Sequence, residues 1–503
     1  MLKADLLITN ATVATASDVF PNQDIAVANG KILLLGQNLS SLFDADSVID
    51  AHGAYVTPGG IDSHVHIEDE FVPEGDTFET ATRSAIAGGT TTILSFAEQK
   101  RKDETVLPII EEYHEKAKGN TYCDYGFHLI IGNPSAKVVK EELPLVVKGG
   151  VTSVKFFMTY DPLKLSDKMI LDLMLATRQL GVTTMVHAEN GDIISWIATK
   201  LEEQKLTDPY YHGVSRPNLA EDEATYRIIS LAELMDVPIL IVHMSSKSAA
   251  DHVRKAQTRL LPIHAETCPQ YLYLTSEKTK GERFEGAKCV CSPPLREDKM
   301  DLDAMWQGLS NGTFTTFASD HAPSRFDHPE GKKSGLVNNV SSFRKIPNGL
   351  PGVETRFPSL FSGGVMTGRL SVQKFVEVSC SNPAKLYGMG DTKGTIAPGF
   401  DADLVIWYPY GKQAIGDSAP KMDSFGLTNE MLHHRTDYTP FEGMEFQNWP
   451  RYTILRGKVV WNRDNGGVVG QKGDGKFLKR GLSTLSKPRN IFVNEFRPYA
   501  SSE

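Results

Sequence analysis

Two histidines one residue apart, His64 and His66, close the stretch Gly59-Gly60-Ile61-Asp62-Ser63-His64-Val65-His66. If residues 61–66 are extended, the two-residue period puts both imidazoles on one face. The Thr57-Pro58-Gly59-Gly60 run before them is a turn signal. A pair of neutral imidazoles at a strand end is half of a metal site, and zinc is its commonest occupant. Alone, such a pair is more often a polar strand end. Four further segments add ligand types at matching places. Lys155 lies within Val151–Met158, His187 ends Thr183–His187, His243 ends Ile239–His243, and Asp320 follows Phe317-Ala318-Ser319. Singly, each histidine reads as a hydrogen-bonded rim residue and Asp320 as a helix cap. Jointly, four histidines and an aspartate ending apolar runs point to a metal centre. Lys155 is the odd member. Between Val154 and Phe156 its ammonium meets a large desolvation cost. It escapes by reaching the rim or by losing its charge.

These segments are positioned by a repeating pattern. Strand signals at 61–66, 90–96, 127–131, 153–158, 183–187, 238–243, 261–266 and 313–319 alternate with helical ones at 76–87, 103–118, 138–148, 167–180, 218–235, 246–257 and 299–309. Asp76 with Glu79 resembles a capping box at the first helix. Eight such units over this length predict a (β/α)8 TIM-like barrel, whose C-terminal strand ends share one face. A doubly wound sheet is the alternative, and it accounts less well for polar residues at so many strand ends. Before residue 58 the chain reads as short strands, with Asn29-Gly30 a hairpin signal. Strand character returns at 402–407 and 450–461. We expect residues 1–57 and 395–475 to form one small β-sandwich domain built from both chain ends. The barrel would span 58–394, and 476–503 would be either a loose tail or an oligomerisation arm. The loop-like stretch 322–353 is long enough to need a functional reason, such as covering the site.

The chain has 503 residues and a formal net charge of -9, from 53 basic and 62 acidic side chains. No basic stripe marks a nucleic-acid partner, and no run reaches the length of a membrane span. The five scattered cysteines, Cys123, Cys268, Cys289, Cys291 and Cys380, read as reduced thiols of an intracellular, cytoplasmic protein.

Nine segments together resemble the dihydropyrimidinase and hydantoinase family of the amidohydrolase superfamily. They are Pro58–His66, Val154–Tyr160, His187-Ala188-Glu189, His243–Ser246, Glu266–Leu272, Cys291–Arg296, Ser319–Pro323, Ile346–Glu354 and Gly394–Leu404. The resemblance implies two zinc ions per subunit. His64, His66 and Asp320 would hold one, His187 and His243 the other. Lys155, carboxylated by carbon dioxide, would bridge them together with a hydroxide. It further implies Tyr160 as the oxyanion donor, Asp320 as the proton carrier, and the backbone around Ser292 and Asn348 as the grip on the substrate's ureide edge. The expected reaction opens 5,6-dihydrouracil or dihydrothymine to an N-carbamoyl-β-amino acid. A D-hydantoinase proper or an allantoinase is the alternative, and the family suggests a homotetramer. Relatives acting on dihydroorotate have an arginine two residues past the second histidine. Glu68 stands there, and an acid would repel that substrate. Among the remaining residues, Asp62, Glu189 and His321 are candidates to orient ligands. His52, His128, His252 and His264 read as structural or incidental.

Overall fold

The computed structural model describes residues 1–69, 72–281, 284–411, 414–416 and 419–489. A nine-stranded mixed sheet draws β1 (Leu2–Ala14), β2 (Val19–Ala28), β3 (Lys31–Gly36), β4 (Phe43–Asp50) and β5 (Tyr55–Pro58) from the start of the chain. Its other strands, Leu404–Ile406, Tyr452–Leu455, Lys458–Asn462 and Gly467–Val468, come from the end. Pairing of β5 with Leu404–Ile406 joins the two halves. The β2–β3 turn holds Asn29 and Gly30 at φ of 53° and 76°, the left-handed pair that a two-residue hairpin turn requires. Leu6, Ile8, Ile25, Val27, Leu404 and Ile454 bury one face of this layer.

The eight expected strands form the second sheet, all parallel and in chain order. They are β6 (Gly60–Val65), β7 (Thr90–Glu98), β8 (Asp124–Ile130), β9 (Ser153–Phe157), β10 (Thr183–His187), β11 (Ile239–Ile241), β12 (Ile263–Thr267) and β13 (Thr316–Phe317). The ring closes at the site itself. The His66 N–H donates to the His321 carbonyl at 2.7 Å, and the His321 N–H to the His64 carbonyl at 3.3 Å. The fold is thus a (β/α)8 barrel with an appended β-sandwich. Strand alternation sorts the side chains. Leu94, Phe96, Ile130, Phe157, Met185 and Leu240 pack in one inner cluster. Ile93, Phe127, Val154, Phe156, Val186 and Ile241 pack in another with the helices outside. Lys155 and His187 lie in phase with the inner set, which aims them into the barrel.

Helices connect the strands: α1 (Phe78–Ala87), α2 (Leu107–Ala117), α3 (Leu143–Lys148), α4 (Asp167–Leu180), α5 (Gly191–Glu203), α6 (Tyr210–Val214), α7 (Asn218–Met235), α8 (Lys247–Thr258), α9 (Gln270–Tyr273) and α10 (Lys299–Asn311). Three details differ from the sequence reading. Thr77, with Thr80, makes the capping box of α1 in place of Asp76 and Glu79. Residues 138–142 form a π-helical turn ahead of α3. Helices α5 and α6 occupy a stretch given no element from sequence. Trp196 on α5 is 66% exposed, so the apolar residues of α5 do not trace a single buried stripe.

Residues 476–489 run along the chain's own barrel. Tyr125 exchanges backbone hydrogen bonds with Lys476 and Leu478. Arg480 is buried and donates to Ser153 Oγ at 2.9 Å. The remainder of the expected tail, residues 490–503, lies outside the described residues. No helix among those described is long and apolar enough to cross a membrane.

Candidate metal centre

At the C-terminal ends of β6 and β13, His64, His66 and Asp320 place one ligand atom each within 4.8 Å of one another, all three buried. Asp320 Oδ1 lies 3.1 Å from His64 Nε2 and 4.0 Å from His66 Nε2. Each imidazole is fixed from behind. His64 Nδ1 meets Glu266 Oε1 at 2.7 Å, and His66 Nδ1 meets Asp69 Oδ2 at 2.9 Å. Those contacts turn both Nε2 atoms toward Asp320. His66 also stacks on Phe96, with ring centres 4.8 Å apart.

Lys155 enters from β9, 1% exposed, with Nζ 2.9 Å from His64 Nε2. Its amine lies against the rings of Phe96 and Phe157. Burial drags its pKa down to about 8, against the pull of Asp320 and Glu266. That increases the share of uncharged amine, the form that adds carbon dioxide, above that of an ordinary lysine. His187 and His243 complete the ring, with centres 4.5 Å apart. Glu189 Oε2 takes His187 Nε2 at 2.7 Å and is itself tied to Arg216 Nη1 at 2.7 Å. The Glu189 bond leaves His187 Nδ1 as the atom open to a cation. Among the described residues the buried His243 Nδ1 has no hydrogen-bond partner. Burial holds His66, His187 and His243 below the ordinary imidazole range, in the neutral form a cation needs. Burial pushes the other way on Asp320, but His64, His243 and Lys155 keep it ionised well below the usual carboxylate range. Neutral imidazoles, an ionised carboxylate and an orphaned ring nitrogen around one buried amine fit a divalent cation centre.

Above this cluster is a cavity of about 300 Å³, lined by His66, Lys155, Tyr160, His187, His243, Ser292, Asp320 and residues 344–349. Tyr160 OH accepts from Asn348 Nδ2 at 3.2 Å, and the Arg216 guanidinium lies over its ring at 5.2 Å. A second cavity of about 230 Å³ shares Tyr160, Arg344 and Asn348 with the first. The long 322–353 segment therefore supplies a wall of the site.

Other assignments divide. Glu189 does orient a histidine. Asp62 accepts from the Ser319 N–H at 3.0 Å and lies 3.4 Å from Arg356 Nε. It thus steadies the backbone before Asp320 and touches no imidazole. His321 serves the fold: Nδ1 accepts from the Gly352 N–H at 3.0 Å and Nε2 lies 3.1 Å from Asp76 Oδ2. Glu68 is a correction. It has φ 52°, lies outside the 300 Å³ cavity, and lines a different one with Lys116 and Tyr113. Glu68 is therefore not among the residues that contact the 300 Å³ cavity directly. Cys291 is buried with its thiol pKa raised by burial, so it is no nucleophile. Asp69, Glu266, His212, Arg216 and Lys332 escaped the sequence reading. Glu266 had a signal, since it sits near the end of β12 as the ligands do on their strands. His212 Nε2 donates to the Cys291 carbonyl at 2.9 Å, steadying the turn before Ser292.

Asp76 yields a stability prediction. Burial would raise its pKa, but hydrogen bonding to His321 and Thr80 overturns that and leaves it at about 2. A depressed carboxyl stabilises the fold above the unfolded-state value, and the gain is lost as pH falls through the folded value. Asp76→Asn is expected to lower unfolding stability by about 2 kcal/mol at neutral pH. The gap to wild type should narrow below about pH 4 and close near pH 2 in denaturant titrations. A gap independent of pH would refute the assignment.

The amidohydrolase family profile matches residues 55–460. The D-hydantoinase of Ralstonia pickettii is 40% identical over 479 residues, covering 95% of this chain and 99% of that protein. The D-hydantoinase of Geobacillus stearothermophilus is 41% identical over 478 residues, 94% of this chain and 96% of its own. Among solved structures, the dihydropyrimidinase from Brevibacillus agri superposes with a TM-score of 0.87 at 39% identity, covering 95% of this chain and 99% of that one. The chain belongs to the amidohydrolase family, in its hydantoinase and dihydropyrimidinase branch, and is a zinc-dependent cyclic amidohydrolase.

Proposed function

We propose that the chain opens cyclic ureides at a ring amide over a pair of zinc ions, with 5-substituted hydantoins foremost. The observation that carries this is the meeting of His64, His66, Lys155, His187, His243 and Asp320 under one cavity whose facing wall holds Tyr160 and Asn348. The order of substrates differs from the sequence expectation, which put dihydrouracil first. The relatives' names favour hydantoins. The adjoining 230 Å³ cavity offers room for a ring substituent. A solved dihydropyrimidinase of equal likeness supports dihydrouracil and dihydrothymine as the second reading.

In this reading His64, His66 and Asp320 would hold one ion and His187 and His243 the other, and Lys155, once carboxylated, would serve as the ligand they share. Bound zinc supplies hydroxide at neutral pH and a field that steadies a developing oxyanion. The chain's own groups do the rest. Lys155 becomes a carbamate when its neutral nitrogen bonds the carbon of carbon dioxide and releases a proton. Burial raises the Tyr160 pKa, so its hydroxyl stays protonated and donates to the substrate carbonyl as that oxygen gains charge. Asp320 takes the proton of the attacking hydroxide and delivers it to the departing ring nitrogen. Backbone groups near Ser292 and Asn348 hold the ureide edge. A hydantoin gives an N-carbamoyl amino acid, and dihydrouracil gives N-carbamoyl-β-alanine.

A panel on zinc-loaded protein tests the reading: hydantoin, D- and L-5-substituted hydantoins, dihydrouracil, dihydrothymine, allantoin and dihydroorotate. The D-5-substituted hydantoins are expected to lead in kcat/KM. A lead for dihydrouracil of more than about tenfold, a 1.4 kcal/mol preference, would reverse the order. A wide lead for allantoin would remove both readings.

A further inference from the structure

The segment after β13 carries a lysine that no step above uses. Lys332 is fully buried. Among the described residues its Nζ has no carboxylate partner and donates to three carbonyls: Val290 at 2.9 Å, Pro347 at 2.6 Å and Gly349 at 2.7 Å. Burial lowers the Lys332 pKa to about 7, and three carbonyl acceptors match the three donors of its charged form, which has no acceptor of its own. The acceptors belong to two walls of the 300 Å³ cavity. Val290 leads into Cys291 and Ser292, while Pro347 and Gly349 flank Asn348. The Gly349 N–H also donates to the Val290 carbonyl at 3.0 Å. The two walls are therefore joined at one point, with the ammonium beneath it.

The backbone there has little freedom. Gly349 has φ 138°, and a Cβ on it would lie 2.4 Å from Ala322. The Lys332 N–H is held by the Arg325 carbonyl at 2.9 Å. If the position only needed filling, an apolar side chain of similar length would serve without the cost of desolvating a cation. A buried ammonium spent on three carbonyls fixes where those carbonyls sit. Lys332 itself does not line the cavity.

We propose that Lys332 is the positioning residue of the ring-binding edge. By gathering the carbonyls of Val290, Pro347 and Gly349 on one ammonium, it sets the spacing between the Ser292 and Asn348 backbones, and so how firmly the ureide edge is held. The proposal rests on the cyclic-ureide reading above. Its effect falls on binding, because Lys155, His64, His66, His187, His243 and Asp320 are carried by barrel strands that Lys332 does not touch.

The test compares zinc-loaded wild type with Lys332→Met, using the best hydantoin of the panel. KM is expected to rise at least about tenfold, equivalent to 1.4 kcal/mol, with kcat within about threefold and zinc per chain unchanged. Lys332→Gln keeps two N–H donors and is expected to fall between. Unchanged KM in folded Lys332→Met overturns the proposal. So does a joint loss of kcat and zinc, which marks a general scaffold role. If Lys332→Met does not fold, Lys332→Gln decides on the same split of KM against kcat. A wild-type chain that turns over no ureide removes the underlying reading and this proposal with it. Turnover with unmoved KM removes this proposal alone.

Discussion

Lys155→Ala is expected to cut ureide hydrolysis by roughly 10⁴-fold, about 5 kcal/mol of barrier at 1.36 kcal/mol per decade, while leaving a folded barrel. The geometry explains both halves. Lys155 lines the same cavity as His187 and His243, with Nζ already 2.9 Å from His64. In the proposed reaction it is the one side chain that serves both ions. Without it each ion depends on fewer protein ligands, and the pair is lost. Stability should hold, because the substitution removes a buried amine that has no carboxylate hydrogen-bonded to it among the described residues and sits against two phenyl rings. Thermal unfolding of the zinc-free proteins should therefore differ little, with the variant no less stable. Elemental analysis is the decisive measurement. Two zincs per chain in Lys155→Ala, or a rate near wild type, would sink the bridging role.

Asp320→Asn should be nearly as severe. The amide keeps the shape but loses the charge 3.1 Å from His64 and can no longer accept a proton. General acid–base catalysis is typically worth 10²–10⁴-fold, so a kcat loss of about 10³-fold or more is expected even with metal restored. KM should move far less, since the ring-gripping groups at Ser292 and Asn348 are untouched. Zinc titration should show weaker binding on the His64 and His66 side. A metal-loaded Asp320→Asn enzyme retaining a tenth of wild-type kcat would refute the proton-carrying role.

The barrel was legible because its signals are local. Short buried runs such as Thr183–His187 and amphipathic stretches such as Asp167–Leu180 name their own elements, and both match the structure residue for residue. The meeting of His64, His66 and Asp320 was legible because barrel strands deliver the residues at their C-terminal ends to one face. The supporting groups were not, because their meaning lies in partners distant along the chain. Glu266 matters through His64, 202 residues away, and Thr316, 50 residues away. Arg216 matters through Glu189 and Tyr160, and Lys332 through carbonyls that have no sequence signature. The Glu68 error has the same source. Neighbours Glu68 and Asp69 are interchangeable in composition, yet a positive φ at Glu68 turns it aside while Asp69 grips His66. Helix α5 was hidden by exposed Trp196, an apolar residue where the helical period calls for a polar one.

The barrel's seam has a consequence for biogenesis. Its first and last strands meet through backbone bonds between residues 64–66 and 321, on either side of the His64–Asp320 pair. A chain still emerging from the ribosome owns His64 and His66 for some 250 residues of synthesis before Asp320 exists to face them. Ring closure and completion of the His64–His66–Asp320 cluster thus become one late event, whereas Lys155, His187 and His243 all stand earlier along the chain.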